Sequence, residues 1–231
     1  MDGETGPIRP RPKGRTGAIR LRKIPPEHLL RYRQHVPQLI YVHPNPLVRW
    51  VFWGRLRCLL DLAQGGGEVS LDFGCGEGAL LPSLATGYRQ VIGVDIDIGA
   101  AACLVSDYGL DNVSLIRADG RSLPVRSESV DAVFAADVLE HIPDFDAALL
   151  EIHRVLRSGG LLLVSAPMEH HFYKLGRRFF RFPAQHDHHH DALRIDLALR
   201  GHFEIVKERR HPWRVPRPLA AFLLVQAQKR R

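Results

Sequence analysis

Between residues 69 and 166, short apolar runs alternate with stretches in which apolar side chains recur at helical spacing. Residues 69–73, 90–95, 113–118, 129–136 and 161–166 read as strands, each rich in Val, Ile, Leu, Phe or Ala. The intervening segments near 79–85, 100–107 and 145–156 read as helices. Strand and helix in alternation imply βαβ units, a mainly parallel sheet and helices on both of its faces. Beyond them, 191–200 reads as another helix, and 203–209 and 219–228 as two further strands. The pattern predicts an α/β, doubly wound domain over 68–231, with no internal repeat.

The chain before residue 68 has a different texture. Residues 1–24 are dense in Pro, Gly, Lys and Arg with almost no apolar periodicity, which predicts a flexible basic tail. Residues 25–67 predict a helical segment. Within it Asn45-Pro46 makes a good helix start, an amide cap followed by proline at the first helical position. Leu47, Trp50, Val51, Phe52, Leu56, Leu59, Leu60 and Ala63 then follow at helical spacing, and three glycines at 65–67 stop the run.

With 231 residues and 45% apolar side chains, the chain has room for a full core without disulfides or structural metal. Its three cysteines, Cys58, Cys75 and Cys103, are too scattered for a disulfide framework. The first residues hold no apolar stretch of the kind a secretory signal needs, so a cytoplasmic protein is expected. The net charge of +7 hides a division: residues 1–67 carry +8, residues 68–146 carry −10 and residues 147–231 carry +9. An acidic centre between basic ends is unlike a uniformly basic nucleic-acid binder. The ends still suit an anionic partner such as a membrane surface or RNA.

The centre also holds the candidate chemistry. Leu71-Asp72-Phe73-Gly74-Cys75-Gly76-Glu77-Gly78 is a strand running into glycines that open a helix. Glycines there let the backbone turn sharply and approach a ligand where any Cβ would collide. Seventeen residues after Gly78, the apolar run Val91-Ile92-Gly93-Val94 ends in Asp95. An acid at the tip of the second strand is placed to accept hydrogen bonds from both hydroxyls of a ribose, so the reading is a nucleoside cofactor. Gly74-x-Gly76-x-x-Ala79 also satisfies the dinucleotide fingerprint, which keeps NAD open. S-adenosylmethionine is favoured by Asp72, which suits the ammonium of a methionine moiety and would repel a pyrophosphate. Asp119, ending the third strand, suits an adenine amino group, and Asp137 ends the fourth beside the expected reaction centre.

These motifs, together with Ala118-Asp119-Gly120, the run from Ser129 to His141 and Arg154-Val155-Leu156-Arg157-Ser158-Gly159-Gly160 as a turn before the fifth strand, make the chain resemble a class I S-adenosylmethionine-dependent methyltransferase of the type 11, largely small-molecule branch. The resemblance covers roughly residues 69–166. It departs from the family at Ser158, where many relatives have proline. It implies a Rossmann-like seven-stranded sheet of order 3-2-1-4-5-7-6 with the last strand antiparallel. It assigns Asp95 to the ribose, Asp119 to the adenine and the 74–78 loop to the methionine portion. Asp72, Gly74, Cys75, Gly76, Gly78, Ile96, Gly120, Ala136 and Asp137 complete the expected cofactor site.

The acceptor side is less marked. His141, His170, His171 and His186 are candidate bases or substrate contacts, because imidazole suits proton transfer near neutral pH. The run His186-Asp187-His188-His189-His190-Asp191 holds metal-ligand types, but adjacent residues seldom converge on one centre, and no metal site is expected. Residues 168–190 form the expected lid or substrate-covering insertion. The aromatic and basic residues of 170–182 suit a lipid-like or anionic substrate, or an acidic membrane surface. Trp50, Trp53, Tyr41 and His43 read as core packing or as one wall of the substrate pocket. The expected function is methyl transfer to a small or lipid-like acceptor. RNA methylation and non-catalytic cofactor binding are the competing readings.

Overall fold

A computed structural model describes residues 17–31, 40–168, 189–212 and 220–230. The strands are β1 (Gly67–Phe73), β2 (Tyr88–Asp95), β3 (Val113–Arg117), β4 (Val130–Ala136), β5 (Leu156–Pro167), β6 (Glu204–His211) and β7 (Phe222–Gln228). They form a seven-stranded sheet in the order β3-β2-β1-β4-β5-β7-β6, with β7 antiparallel to both neighbours and the first five strands parallel. This is the expected doubly wound sheet. Its order reverses between β1 and β4, so a crevice opens at their carboxyl ends, where open α/β sheets bind ligands.

The helices are α1 (Pro26–Arg31), α2 (Pro46–Leu62), α3 (Leu81–Gly87), α4 (Gly99–Asp107), α5 (Phe145–Val155) and α6 (Ala192–His202), with 3-10 turns at Ile40–Val42 and Leu139–His141. Alternation along the strands sorts the core into two layers. Ala132 and Phe134 of β4 face the cluster built from α2, α3 and α4, whereas Val133 and Ala135 face the cluster built from α5 and α6. Among the described residues no helix is long and apolar enough to cross a membrane.

Helix α2 begins as its sequence predicts: the Asn45 side chain accepts from the Leu47 N–H at 2.9 Å, and Pro46 takes the first turn. Asp191 caps α6 in the same way, accepting from Arg194 N–H at 2.9 Å, which gives one end of the histidine run a structural task. His190 has another. It is buried, with Nε2 2.9 Å from the Pro143 carbonyl and its ring 4.5 Å from that of Phe145.

Two expectations are corrected. Residues 17–24 do not behave as tail: Ile19 and Ile24 are buried, and Arg22 N–H donates to Ser83 Oγ at 2.9 Å. Two isolated apolar side chains in a basic stretch carry no periodicity, so the pattern could not announce this docking. The predicted turn at 154–160 is also partly strand. β5 starts at Leu156 and pairs with Val130, then shifts register so that Leu161 pairs with Ala132, with Gly159 at a φ of +76° absorbing the irregularity.

Candidate cofactor site

The 74–78 loop leaves β1 and is tied at once to its neighbour: the N–H groups of Gly74 and Cys75 both donate to the Val94 carbonyl, at 2.8 and 3.0 Å. It closes on itself where Gly78 N–H donates to Cys75 O at 2.7 Å. Gly74, Gly76 and Gly78 have φ of +72°, +50° and +83°, a region that penalises any side chain. A Cβ on Gly74 would lie 2.3 Å from Val138 Cγ2, whereas one on Gly76 would meet nothing within 4 Å. The first glycine is therefore required by the fold, and the second faces open space.

That contrast gives a paired prediction. Gly74→Ala is expected to cost about 1–3 kcal/mol from overpacking, besides its backbone strain, and to lower Tm clearly. Gly76→Ala carries only the strain, about 1–2 kcal/mol, yet its methyl group enters the space beside the loop. Thermal unfolding and ligand titration on the two variants check this, with the larger loss of binding relative to stability expected for Gly76→Ala.

Asp95 stands at the end of β2, half-buried. Its Oδ2 accepts from Gly76 N–H at 2.8 Å and its Oδ1 from Asp97 N–H at 3.1 Å, so loop and acid are one unit. Ile96 follows, 70% exposed, a large apolar side chain on the surface beside the acid. Asp119 is exposed at the end of the β3 segment and paired with Arg121, whose Nη2 lies 2.6 Å from Oδ2; these hydrogen bonds lower its pKa to about 2. Gly120 lies against Phe73, where a Cβ would come within 2.3 Å of the ring.

Asp72 is buried near the carboxyl end of β1. Burial first, then the charges of Asp95 and Glu77, push its pKa up to about 8. Cys75 is buried too, and its thiol is pushed well above the usual range, chiefly by desolvation. It fills space as a neutral side chain and is no nucleophile. Ala136 ends β4, and Asp137 follows at a φ of +53°. Ser165 Oγ donates to Asp137 Oδ1, and the guanidinium of Arg55 pairs with Oδ2.

Arg55 is the residue the sequence reasoning missed. It sits on α2, only 2% exposed, between the rings of Phe52 and Phe222 at 5.4 and 5.0 Å, and its Nη2 donates to Tyr41 Oη at 2.6 Å. The available signal was a lone arginine on the apolar stripe, three residues from Phe52 and four from Leu59. Tyr41 itself is buried, and its phenol is pushed up to about 12, mainly by burial. His211, at the end of β6, is another buried group that the pattern did not single out. Its Nδ1 lies 3.6 Å from Cys58 Sγ, its ring lies tilted against that of Trp50 with centroids 5.6 Å apart, and burial lowers its pKa. His141 lies half-buried in the turn after β4, its N–H donating to Val138 O. His170, His171 and His186, with most of the 168–190 insertion, lie outside the described residues. Among the described residues, no group of three or more His, Cys, Asp and Glu side chains is arranged to hold a metal ion.

A doubly wound sheet of this order, with a glycine loop fastened to a ribose-competent acid and a buried carboxyl beneath it, defines a nucleoside-binding domain of the methyltransferase type. Residues 71–164 match the family model for the methyltransferase domain, and over that region the chain is similar to S-adenosylmethionine-dependent methyltransferases. A probable S-adenosylmethionine-dependent methyltransferase of Mycobacterium tuberculosis is 42% identical over 97 residues, which is 42% of this chain and 35% of that protein. A ubiquinone/menaquinone biosynthesis C-methyltransferase of Syntrophotalea carbinolica is 32% identical over 120 residues, 50% of this chain and 49% of that one. The chain thus spans half or less of these relatives' lengths. The fold is shared with the N-methyltransferase NodS of Bradyrhizobium japonicum, solved with S-adenosylhomocysteine: TM-score 0.66 and 18% identity over 87% of this chain and 98% of that one. The cofactor of the domain is S-adenosylmethionine, and the residues present are compatible with it: open space at Gly76, an acid at the end of β2 hydrogen-bonded to the loop, and a buried carboxyl close to that acid.

Proposed function

We propose that the protein transfers the methyl group of S-adenosylmethionine to a small or lipid-like acceptor by in-line displacement. The observation that carries this reading is the Gly76–Asp95 hydrogen bond, which joins the loop to the proposed ribose acid, with the buried Asp72 close enough to feel the charge of Asp95. When bound, S-adenosylmethionine supplies the electrophile, a methyl group on a cationic sulfur. In this reading Asp95 holds the ribose, Asp119 the adenine and Asp72 the ammonium end, with Ile96 and Gly120 beside the nucleoside. Orientation of this kind removes roughly 7–11 kcal/mol of barrier, so no catalytic triad is required. His141 is the described candidate for a base, in the turn that follows β4.

Two features support a lipid-like acceptor. The relative from Syntrophotalea is named for ubiquinone and menaquinone biosynthesis, a class of apolar ring acceptors. Trp50, 54% exposed, stands beside His211 at the carboxyl edge of the sheet, so an apolar surface borders that edge. The aromatic and basic residues of 170–182 fit the same class and extend the proposal to peripheral contact with an anionic membrane.

The test is transfer of isotope-labelled methyl from S-adenosylmethionine in the presence of a total lipid extract or of total RNA. Label in the lipid phase is the expected result. Label in RNA with a steep salt dependence would replace this reading by RNA methylation. Tight cofactor binding with no transfer to any acceptor would leave a cofactor-binding module.

A further inference from the structure

Helix α2 buries one side on the sheet and leaves the other to solvent. On the outer side Leu47, Trp50, Gly54, Arg57 and Asp61 recur at three- and four-residue spacing and form one stripe. Leu47 and Trp50, both more than half exposed, are neighbours in the first turns of the helix, where Trp50 borders the carboxyl edge of the sheet. Singly exposed apolar side chains are ordinary; a Leu–Trp pair beside uncompensated cations is not.

The cations are gathered by the edge strand β6. Helix α2 lies directly over it: a Cβ on Gly54 would come within 2.6 Å of the His211 ring. Arg209 and His211 stand opposite Leu224 and Phe222 of β7, which belong to the core layer under α2, and opposed residues share a face. Alternation puts Lys207 on that face as well. Arg209 and Arg57 are both close enough to Cys58 of α2 to act on its thiol. Arg57, Lys207 and Arg209 make no salt bridge among the described residues, and Asp61 is the only acid on the stripe. The opposite face of the same edge differs. Leu193 and Leu197 of α6 are more exposed still, but Arg200 on that helix is held by both Asp196 and Glu208.

Apolar side chains at the headgroup boundary and free cations beside them are the two attractions that hold a protein on an anionic lipid surface. Single-stranded nucleic acid would use the tryptophan and the cations but offers nothing to Leu47. We propose that the α2–β6 flank is a docking surface for an anionic membrane, with Leu47 and Trp50 entering the headgroup boundary and Arg57, Lys207 and Arg209 meeting the lipid phosphates. Docked this way, the carboxyl edge faces the bilayer, where a lipid-like acceptor would be dissolved. The surface extends the lipid-like reading but needs neither cofactor nor methyl transfer.

Flotation of the full chain with vesicles tests this, using phosphatidylcholine alone or mixed with phosphatidylglycerol. Binding to the anionic vesicles only, weakened by salt, is expected. Each Lys or Arg near such a surface contributes about fivefold, so combining Arg57→Gln, Lys207→Gln and Arg209→Gln should lose on the order of a hundredfold. Leu47→Ser with Trp50→Ser should lose about tenfold, and Leu197→Ser on α6 nothing. Affinity of the charge variant for S-adenosylhomocysteine should be unchanged. If that variant does not fold, Arg57→Gln and Lys207→Gln carry the test singly, at about fivefold each. No vesicle binding, equal binding to neutral vesicles, full retention by the charge variant, or a matching loss in Leu197→Ser would each overturn the surface. Single-stranded RNA bound more tightly than vesicles, and lost in the charge variant, would replace it by an RNA surface. Vesicle binding without methyl transfer to lipid would sink the acceptor reading alone; transfer to a soluble acceptor without vesicle binding would sink the docking surface alone.

Discussion

Asp72→Asn is expected to make the protein more stable at neutral pH and poorer at holding its cofactor. The folded Asp72 titrates near pH 8, raised first by burial and then by Asp95 and Glu77, whereas in an unfolded chain an aspartate titrates near 3.8. A carboxyl whose pKa is higher in the folded state favours folding fully below the unfolded value. That contribution is lost progressively as pH rises towards 8, with a slope approaching about 1.4 kcal/mol per pH unit. Asparagine has nearly the same shape and no charge to bury, so the slope should vanish and Tm rise by about 2–4 °C for each kcal/mol recovered. Thermal unfolding of both proteins between pH 5 and 8 reads this directly. Parallel curves would mean that Asp72 does not carry the buried titration.

The binding half follows from the same group. An ammonium is attracted only by the ionised carboxylate, so wild-type affinity for S-adenosylhomocysteine should rise from pH 6 towards 8, by up to about tenfold per unit, and proton release should accompany binding. Asp72→Asn should bind more weakly and lose both the slope and the released proton. A site that destabilises its own fold to meet a cation is the pattern expected of a binding pocket.

Much of this site could be read from the chain because its parts are local. A glycine loop, the acid at the end of the next strand and the acid after the third all fall at strand ends. Strand ends in a parallel sheet gather at one edge, so spacing alone brought Asp72, Asp95 and Asp119 together. The alternation of strands and helices carried the parallel part of the sheet, while the full strand order came from family resemblance. What escaped was non-local. Arg55 reaches Asp137 across 82 residues, and Tyr41 reaches Arg55 only because the turn at Ile40–Val42 packs under α2. No period records such a contact. The docking of Ile19 and Ile24 and the extension of β5 back to Leu156 escaped for the same reason: each depends on a distant surface that decides the fate of a locally ambiguous segment.

Asp95→Ala is expected to cause the largest loss of cofactor affinity among the acid substitutions. The assigned hydrogen bonds from two ribose hydroxyls to a charged acceptor are worth about 1.5–3 kcal/mol, or roughly ten- to hundredfold. The structure adds a second loss. Oδ2 also accepts from Gly76 N–H and Oδ1 from Asp97 N–H, so alanine leaves both backbone donors without that partner and frees the loop at the residue that opens onto the pocket. Asp95→Asn separates the two effects: its amide oxygen can still accept one of the backbone hydrogen bonds, while the charge is gone. Calorimetry with S-adenosylhomocysteine should rank wild type above Asn and Asn above Ala. 5′-Methylthioadenosine should follow the same ranking, because it keeps the ribose. Retained affinity in a folded Asp95→Ala would remove the ribose assignment.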